Sequence, residues 1–237
     1  MSSLRNDRHL HAGLPAFRRS LAPDLHFDPA SCQARENAVE RWVAHHLGSI
    51  DHERRVADVA ASLFEVTWPL HQLTESDLHV LRLASIVHDV GRSVEKKEHP
   101  HRGARMVMRD TDLPLSTSIR RALGFLTRYH KGQVPDAGQD EFLTPMDDAD
   151  RMRQILSLLR AADALDSRSL ESPRLVFALI GRPLRQPILH VTCYLDEDCA
   201  KTRKVYLRRK KFRLFEELFD CQIRIEVEQS ALLGLVA

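Results

Sequence analysis

Leu83-Ala-Ser-Ile-Val-His-Asp-Val-Gly-Arg92 runs an apolar helical segment into an adjacent imidazole and carboxylate, with a glycine at position 91. Leu78, Leu81, Ser85 and His88 recur at spacings of three and four, so they share a helix face and His88 ends an inward line. Gly91 lets the chain turn away just afterwards. A neutral imidazole nitrogen beside one or two carboxylate oxygens suits a borderline divalent ion such as Mn, Fe or Zn. The pair alone also fits a polar helix end, so its partners elsewhere decide the reading.

Working outward, the same pattern repeats. Residues 51–66 read as a helix with Val56, Val59, Ala60 and Leu63 on one face, and one turn back lies His52. Residues 116–130 place Ile119, Leu123, Leu126 and His130 on one stripe. A further helix opens at 99–101, where His101, Ala104 and Met108 align; His99 precedes a proline and reads as extended. Residues 147–170 carry Met152, Leu156, Leu159 and Asp163 in line, with Asp166 close behind. A carboxylate at an inward position needs a partner, because burying it unpaired costs several kcal/mol. A metal or an arginine would serve for Asp163.

The remaining segments frame these helices. Residues 1–30 form an Arg-, His- and Pro-rich arm, and residues 36–47 a short amphipathic helix with Val39, Trp42, Val43 and Leu47 on one face. Past residue 185 the character changes. Residues 188–195 and 222–228 read as strands, and residues 201–219 as one helix anchored by Val205, Phe212, Phe215 and Phe219. The expected organisation is an arm (1–30), a helical domain (31–185) and a small α/β appendage (186–237), mainly α overall.

Composition narrows the function. Lys+Arg 35 against Asp+Glu 33 gives a net charge of +2, which argues against a global nucleic-acid binder. Thirteen histidines justify the search for metal sites. The nine glycines form neither a dinucleotide-binding fingerprint nor a P-loop. Cys32, Cys193, Cys199 and Cys221 show no C-x-x-C, and no signal peptide or long apolar stretch is present, so reduced thiols in a cytoplasmic, non-membrane protein are expected.

Five helices thus each bring a potential ligand inward: His52, His88 with Asp89, His101, His130 and Asp163. Ionisable residues rarely occupy helical core lines without pairing. Six ligands of this kind could hold two ions about 3.5–4 Å apart, with Asp89 as the natural bridge, a geometry that stabilises both oxygens of an in-line displacement at phosphorus.

The order His52, His88-Asp89, Asp163 resembles the signature of the HD superfamily of metal-dependent phosphohydrolases. Within it, the chain is most similar to the C-terminal HD region of the exopolyphosphatase/guanosine pentaphosphatase (Ppx/GppA) family. The resemblance rests on His52-Glu-Arg-Arg-Val-Ala, Ile86-Val-His-Asp-Val-Gly91, Arg128-Tyr-His-Lys131 and Leu158-Leu-Arg-Ala-Ala-Asp-Ala-Leu-Asp166, and spans roughly residues 36–228. It implies an HD-type helical bundle. Full-length members of that family carry an actin-like half upstream that supplies the phosphatase site; the chain lacks its glycine-rich loops, so a stand-alone form is expected and exopolyphosphatase activity does not carry over. His101 and His130 match the extra histidines of two-metal HD proteins such as the dinucleoside tetraphosphate hydrolases.

The expected function is a hydrolase cleaving a phosphate anhydride or ester of a nucleotide or polyphosphate-like substrate by a metal-activated hydroxide, with one or two divalent ions (Mn, Fe, Mg, Co or Zn). The alternative is a non-catalytic module that binds such a ligand and regulates a partner; a homodimer stays open. Arg92 and Lys131 would take up phosphoryl charge, Arg55 would join them in binding substrate, and Lys96 and Arg168 are further cations. Asp166 or Glu53 would orient water or act as acid–base. Lys201, Arg203, Lys204, Arg208, Arg209, Lys210, Lys211 and Arg213 form a basic run outside the ligand helices. It reads as either a polyanion surface or a solvated helix face.

Overall fold

The computed structural model describes residues 28–230 except 137, 145–146, 171, 183–184 and 197–199. The arm therefore lies almost wholly outside the described residues, as does Cys199. The chain order is α1 (Pro29–Leu47), α2 (Asp51–Val66), α3 (Glu75–Val87), α4 (His99–Arg109), α5 (Thr117–Tyr129), α6 (Ala149–Ala164), β1 (Arg174–Arg182), β2 (Arg185–Leu195), α7 (Ala200–Tyr206), α8 (Arg213–Phe219) and β3 (Gln222–Gln229). The architecture is mainly α with a small α/β appendage, as the sequence implies.

Local chemistry sets the helix ends. Asp28 accepts the Ser31 amide at 3.0 Å, Pro29 opens α1, and Gly48, at φ 80°, closes it. That helix starts ahead of the expected residue 36. Thr74 and Asp77 form a capping box on α3. Arg151 of α6 ion-pairs with the buried Asp77, which ties α6 to α3.

The appendage is a three-stranded sheet in the order β1-β2-β3. β1 and β2 are antiparallel, from Arg174 opposite Tyr194 to Ile180 opposite Ile188. β2 and β3 are parallel, so the chain must cross over between them, and α7 and α8 make that crossing. β1 precedes the boundary expected at 185. Its continuous apolar run, Leu175 to Ile180, lacks the alternation that marks a half-buried strand. Residues 201–219 are not one helix: α7 and α8 are separated by a 3-10 turn at Arg209–Lys211. Tyr206 and Phe212 are both fully buried. Six residues apart, they would point about 120° away from each other on an unbroken helix, and the turn re-aims them. One hydrophobic cluster runs from Val39 of α1 to Val227 of β3, with α8 packed on α6 and β1 on α2.

Candidate metal centre

Four histidines line up ring to ring through the helical layer. Ring centroids are 5.4 Å apart from His52 to His88, 5.1 Å from His88 to His130 and 5.2 Å from His130 to His99. Each sits at a helix end: His52 and His99 in the first turns of α2 and α4, His88 and His130 capping α3 and α5. All four are buried.

Their Nδ1 atoms are committed to acceptors. His88 donates to Ser85 O at 2.7 Å, His99 to Lys96 O at 2.8 Å, His130 to Thr127 O at 2.7 Å, and His52 to the Asp166 carboxylate at 2.6 Å. A carbonyl oxygen only accepts, so the proton is on Nδ1 and the Nε2 lone pairs are left to converge. This is how histidines are oriented around a metal.

Two carboxylates meet those lone pairs. Asp89 Oδ1 lies 2.9 Å from His99 Nε2, 3.4 Å from His130 Nε2 and 3.8 Å from His88 Nε2. Asp163 Oδ1 lies 3.6 Å from His52 Nε2 and 3.7 Å from His88 Nε2. His99 and His130 face each other Nε2 to Nε2 at 3.3 Å. Yet His88 Nε2 and Asp89 Oδ1 are buried without any hydrogen bond. The donor set fits a divalent ion. Ligands held about 2.1 Å from a common centre stand roughly 3.0–3.4 Å apart in octahedral or tetrahedral geometry, which matches Asp89, His99 and His130. Three overlapping groups qualify: His52, His88 and Asp89; His88, His130 and Asp163; Asp89, His99 and His130.

The outer oxygens are held by cations. Asp89 Oδ2 is 3.1 Å from Arg168 Nε and 3.6 Å from Arg92 Nε. Asp163 Oδ2 is ion-paired with Lys211. Arg168 also ion-pairs with buried Glu53. Burial works against charge on Asp89, but His88, His130, His99 and Lys131 outweigh it and hold the carboxyl far below the usual range. Asp163 behaves alike: burial is outweighed by Lys211, His52 and His88. Burial also opposes a proton on His88, yet Asp89 and Asp163 raise its pKa, whereas burial pulls His130 down to about 4. His130 thus stays neutral at physiological pH.

Above the ligands opens a cavity of about 390 Å³, lined in part by Arg92, Lys131, Arg168, Arg208, Lys210 and Lys211. A slightly larger cleft of about 470 Å³ over the α1–α2 turn is lined by Glu40, Asp51 and Arg54 among others and contains no histidine.

The structure brings His52, His88, Asp89, His130 and Asp163, the expected ligands, close together, but not His101, which is half-buried and in none of the groups. His99 takes that place. Proline is tolerated in the first helical turn, so His99 begins α4 and leads a buried line through Gly103 and Val107. Gly91 is not a left-handed turn residue; a methyl there would meet His99 O at 2.1 Å and Gly103 N at 2.4 Å, so its smallness lets α4 approach Asp89. Arg55, expected to bind substrate, donates to Asp166 at 2.9 and 3.2 Å. Asp166, expected as a water-orienting or acid–base group, accepts from His52, Arg55 and Ser172, so both of its oxygens are engaged. Lys131 Nζ lies 3.1 Å from His99 Nε2 and 3.6 Å from Asp89 Oδ1. Lys211 was expected outside the ligand region and instead touches Asp163; only tertiary packing could reveal that.

Fold and site together define a helical domain with a buried His/Asp centre of the type that holds divalent ions. The chain belongs to the Ppx/GppA phosphatase family: the family's description of domain III matches residues 34–178, from α1 into β1. No curated protein matches the sequence. Among the described residues, no helix is long and apolar enough to cross a membrane.

Proposed function

We propose that this chain is an HD-type, metal-dependent phosphohydrolase acting on a phosphate anhydride or ester of a nucleotide or polyphosphate-like substrate. One observation carries the reading: oriented Nε2 lone pairs and carboxylate Oδ1 atoms converge, with His88 Nε2 and Asp89 Oδ1 unpartnered, beneath a cation-lined cavity. His52, His88, Asp89, His99, His130 and Asp163 would hold one or two divalent ions, with Asp89 shared. Such ions supply water activation and charge neutralisation at phosphorus. Arg92 and Lys131, both at the cavity wall, draw the phosphoryl oxygens toward the centre and offset their charge. Arg168 and Lys211 fix the ligand carboxylates, and Asp166 with Arg55 fixes His52. The buried free thiols Cys32, Cys193 and Cys221 support a cytoplasmic setting.

A second reading follows from the family match, which is to domain III. In it the centre binds a phosphorylated ligand and regulates a partner without turnover. Elemental analysis and a phosphate-release screen separate these. The screen covers nucleotides, dinucleoside polyphosphates and polyphosphate with Mn, Fe, Co, Mg and Zn, and Asp89→Ala is the control. Metal in the wild type, lost in the variant together with phosphate release, supports the hydrolase. Metal without release in any condition supports the module. Metal-free protein unaltered by Asp89→Ala removes both.

A further inference from the structure

We propose that Arg208 and Lys210, which lie beyond the family-matched region, bind the anionic part of the substrate distal to the group under attack, and thereby set the preference for multiply charged ligands. The inference rests on the phosphate-ligand reading above. Three observations carry it.

The first is anchoring. Lys211 is ion-paired with Asp163 Oδ2 and approaches Asp163 O at 3.4 Å, so the turn before α8 is fixed to a candidate metal ligand. Fully buried Tyr206 and Phe212 pin the segment on either side. The basic stretch is therefore not a free helix face; it is held at the cavity wall, where Arg208, Lys210 and Lys211 all line the opening.

The second is the division of labour among neighbouring cations. Arg209 ion-pairs with Glu216 and donates to Ile223 O at 2.8 Å, and Arg213 pairs with Glu217 at 2.7 Å. Arg208 and Lys210 make no side-chain ion pair or hydrogen bond among the described residues. Unneutralised cations thus alternate with neutralised ones along this turn, and both unneutralised ones line the cavity.

The third is that the acidic groups of this cavity are already taken. Asp89 is held by Arg168, Asp163 by Lys211 and Asp166 by Arg55. Counter-charge for Arg208 and Lys210 has to arrive with a ligand. A single phosphate at the centre meets Arg92 and Lys131 first. A ligand bearing further anionic groups also engages Arg208 and Lys210.

The test is calorimetric binding of orthophosphate and of inorganic tripolyphosphate to the full chain, in excess Mg²⁺ so that the ligand strips no ion from the protein. The variant is Arg208→Gln/Lys210→Gln, and the control is Lys201→Gln/Lys204→Gln from the same basic run. Exposed cation–anion contacts are worth up to a factor of about five each, so the variant should lose about ten-fold in tripolyphosphate affinity and less than about two-fold for orthophosphate. The control should match the wild type, and metal content should be the same in all three proteins. Equal weakening by both double variants, or no weakening by either, overturns the inference. Phosphate release is scored separately. A chain that shows the affinity difference without turnover keeps this inference and loses the hydrolase reading. One that turns over with unaltered affinity in the variant does the reverse.

Discussion

Asp166→Asn tests whether that carboxylate positions a ligand or moves a proton. Asp166 Oδ2 accepts from His52 Nδ1 at 2.6 Å, while Oδ1 accepts from Arg55 Nε at 2.9 Å and Ser172 Oγ at 2.8 Å. An asparagine has one acceptor oxygen and one NH₂. Whichever way it turns, its amide hydrogens face a donor: either the His52 ring N–H or the Arg55 guanidinium. His52 then loses its orientation. Removing such an outer partner costs about 10–100-fold in metal affinity, or about 1.4–2.8 kcal/mol. The metal-free chain loses the Arg55 pair as well. Because the Arg55 side chain is 38% exposed, the cost of a buried pair is discounted heavily, to about 1–2 kcal/mol. For a chain of this size that lowers Tm by about 2–8 °C. Competition with a chromophoric chelator reads the affinity, and melts in EDTA read the stability. Metal affinity within about two-fold of wild type, combined with collapsed phosphate release, would refute the positioning role and restore Asp166 as an acid–base group.

His99→Ala should remove at least one ion per chain by elemental analysis, whereas His101→Ala should retain the full complement; the opposite outcome would return the ligand role to His101. Gly91→Ala should force α4 away from Asp89, costing about 1–3 kcal/mol in a melt, with reduced metal content. The pKa of His71 is lowered, chiefly by burial, against the opposing pull of its bond to Phe64 O and of Asp77. Its folded pKa is therefore below the unfolded value of about 6.5, the unfolded chain binds the proton first, and stability falls as pH drops below about 6.5. Metal-free melts from about pH 7 to pH 5 should show that slope, and it should be shallower in His71→Asn, which cannot titrate.

Much of this was legible because helical periodicity and ligand placement coincide. His52, His88, His130 and Asp163 each extend an apolar line already fixed by Leu, Val and Met, so their inward aim follows from spacing alone. His99 was hidden by Pro100: the rule that a residue before proline avoids the helix yields at the first turn, where proline itself is favoured. The i, i+4, i+8 line of His99, Gly103 and Val107 was the available signal. β1 was hidden by its uniform apolarity. The break between α7 and α8 was signalled only by Tyr206, whose burial conflicts with that of Phe212 on one helix. The roles of Arg55, Asp166 and Lys211 depend on which distant groups pack together, from α2 to the segment after α6, and from the appendage to α6. No local pattern encodes these contacts.

The division of oxygens on Asp89 and Asp163 explains why the appendage and the helical part share one site. Each carboxylate turns Oδ1 toward histidine Nε2 atoms and leaves Oδ2 to a cation, Arg168 for Asp89 and Lys211 for Asp163. A cation on Oδ2 does not occupy the position that Oδ1 faces, so Lys211 orients Asp163 toward the centre and does not stand in the way of an ion. Burying two carboxylates is costly without nearby positive charge. Arg168 and Lys211 supply part of it from outside and hold the ligands rigid. The remainder falls at Oδ1, where Asp89 and Asp163 raise the pKa of His88 against its burial and where a divalent ion would meet the same demand more fully. Because Lys211 comes from the turn between α7 and α8, the parallel crossover from β2 to β3 does more than close the sheet. It delivers a cation to Asp163 of α6, and with it carries Arg208 and Lys210 to the mouth of the cavity.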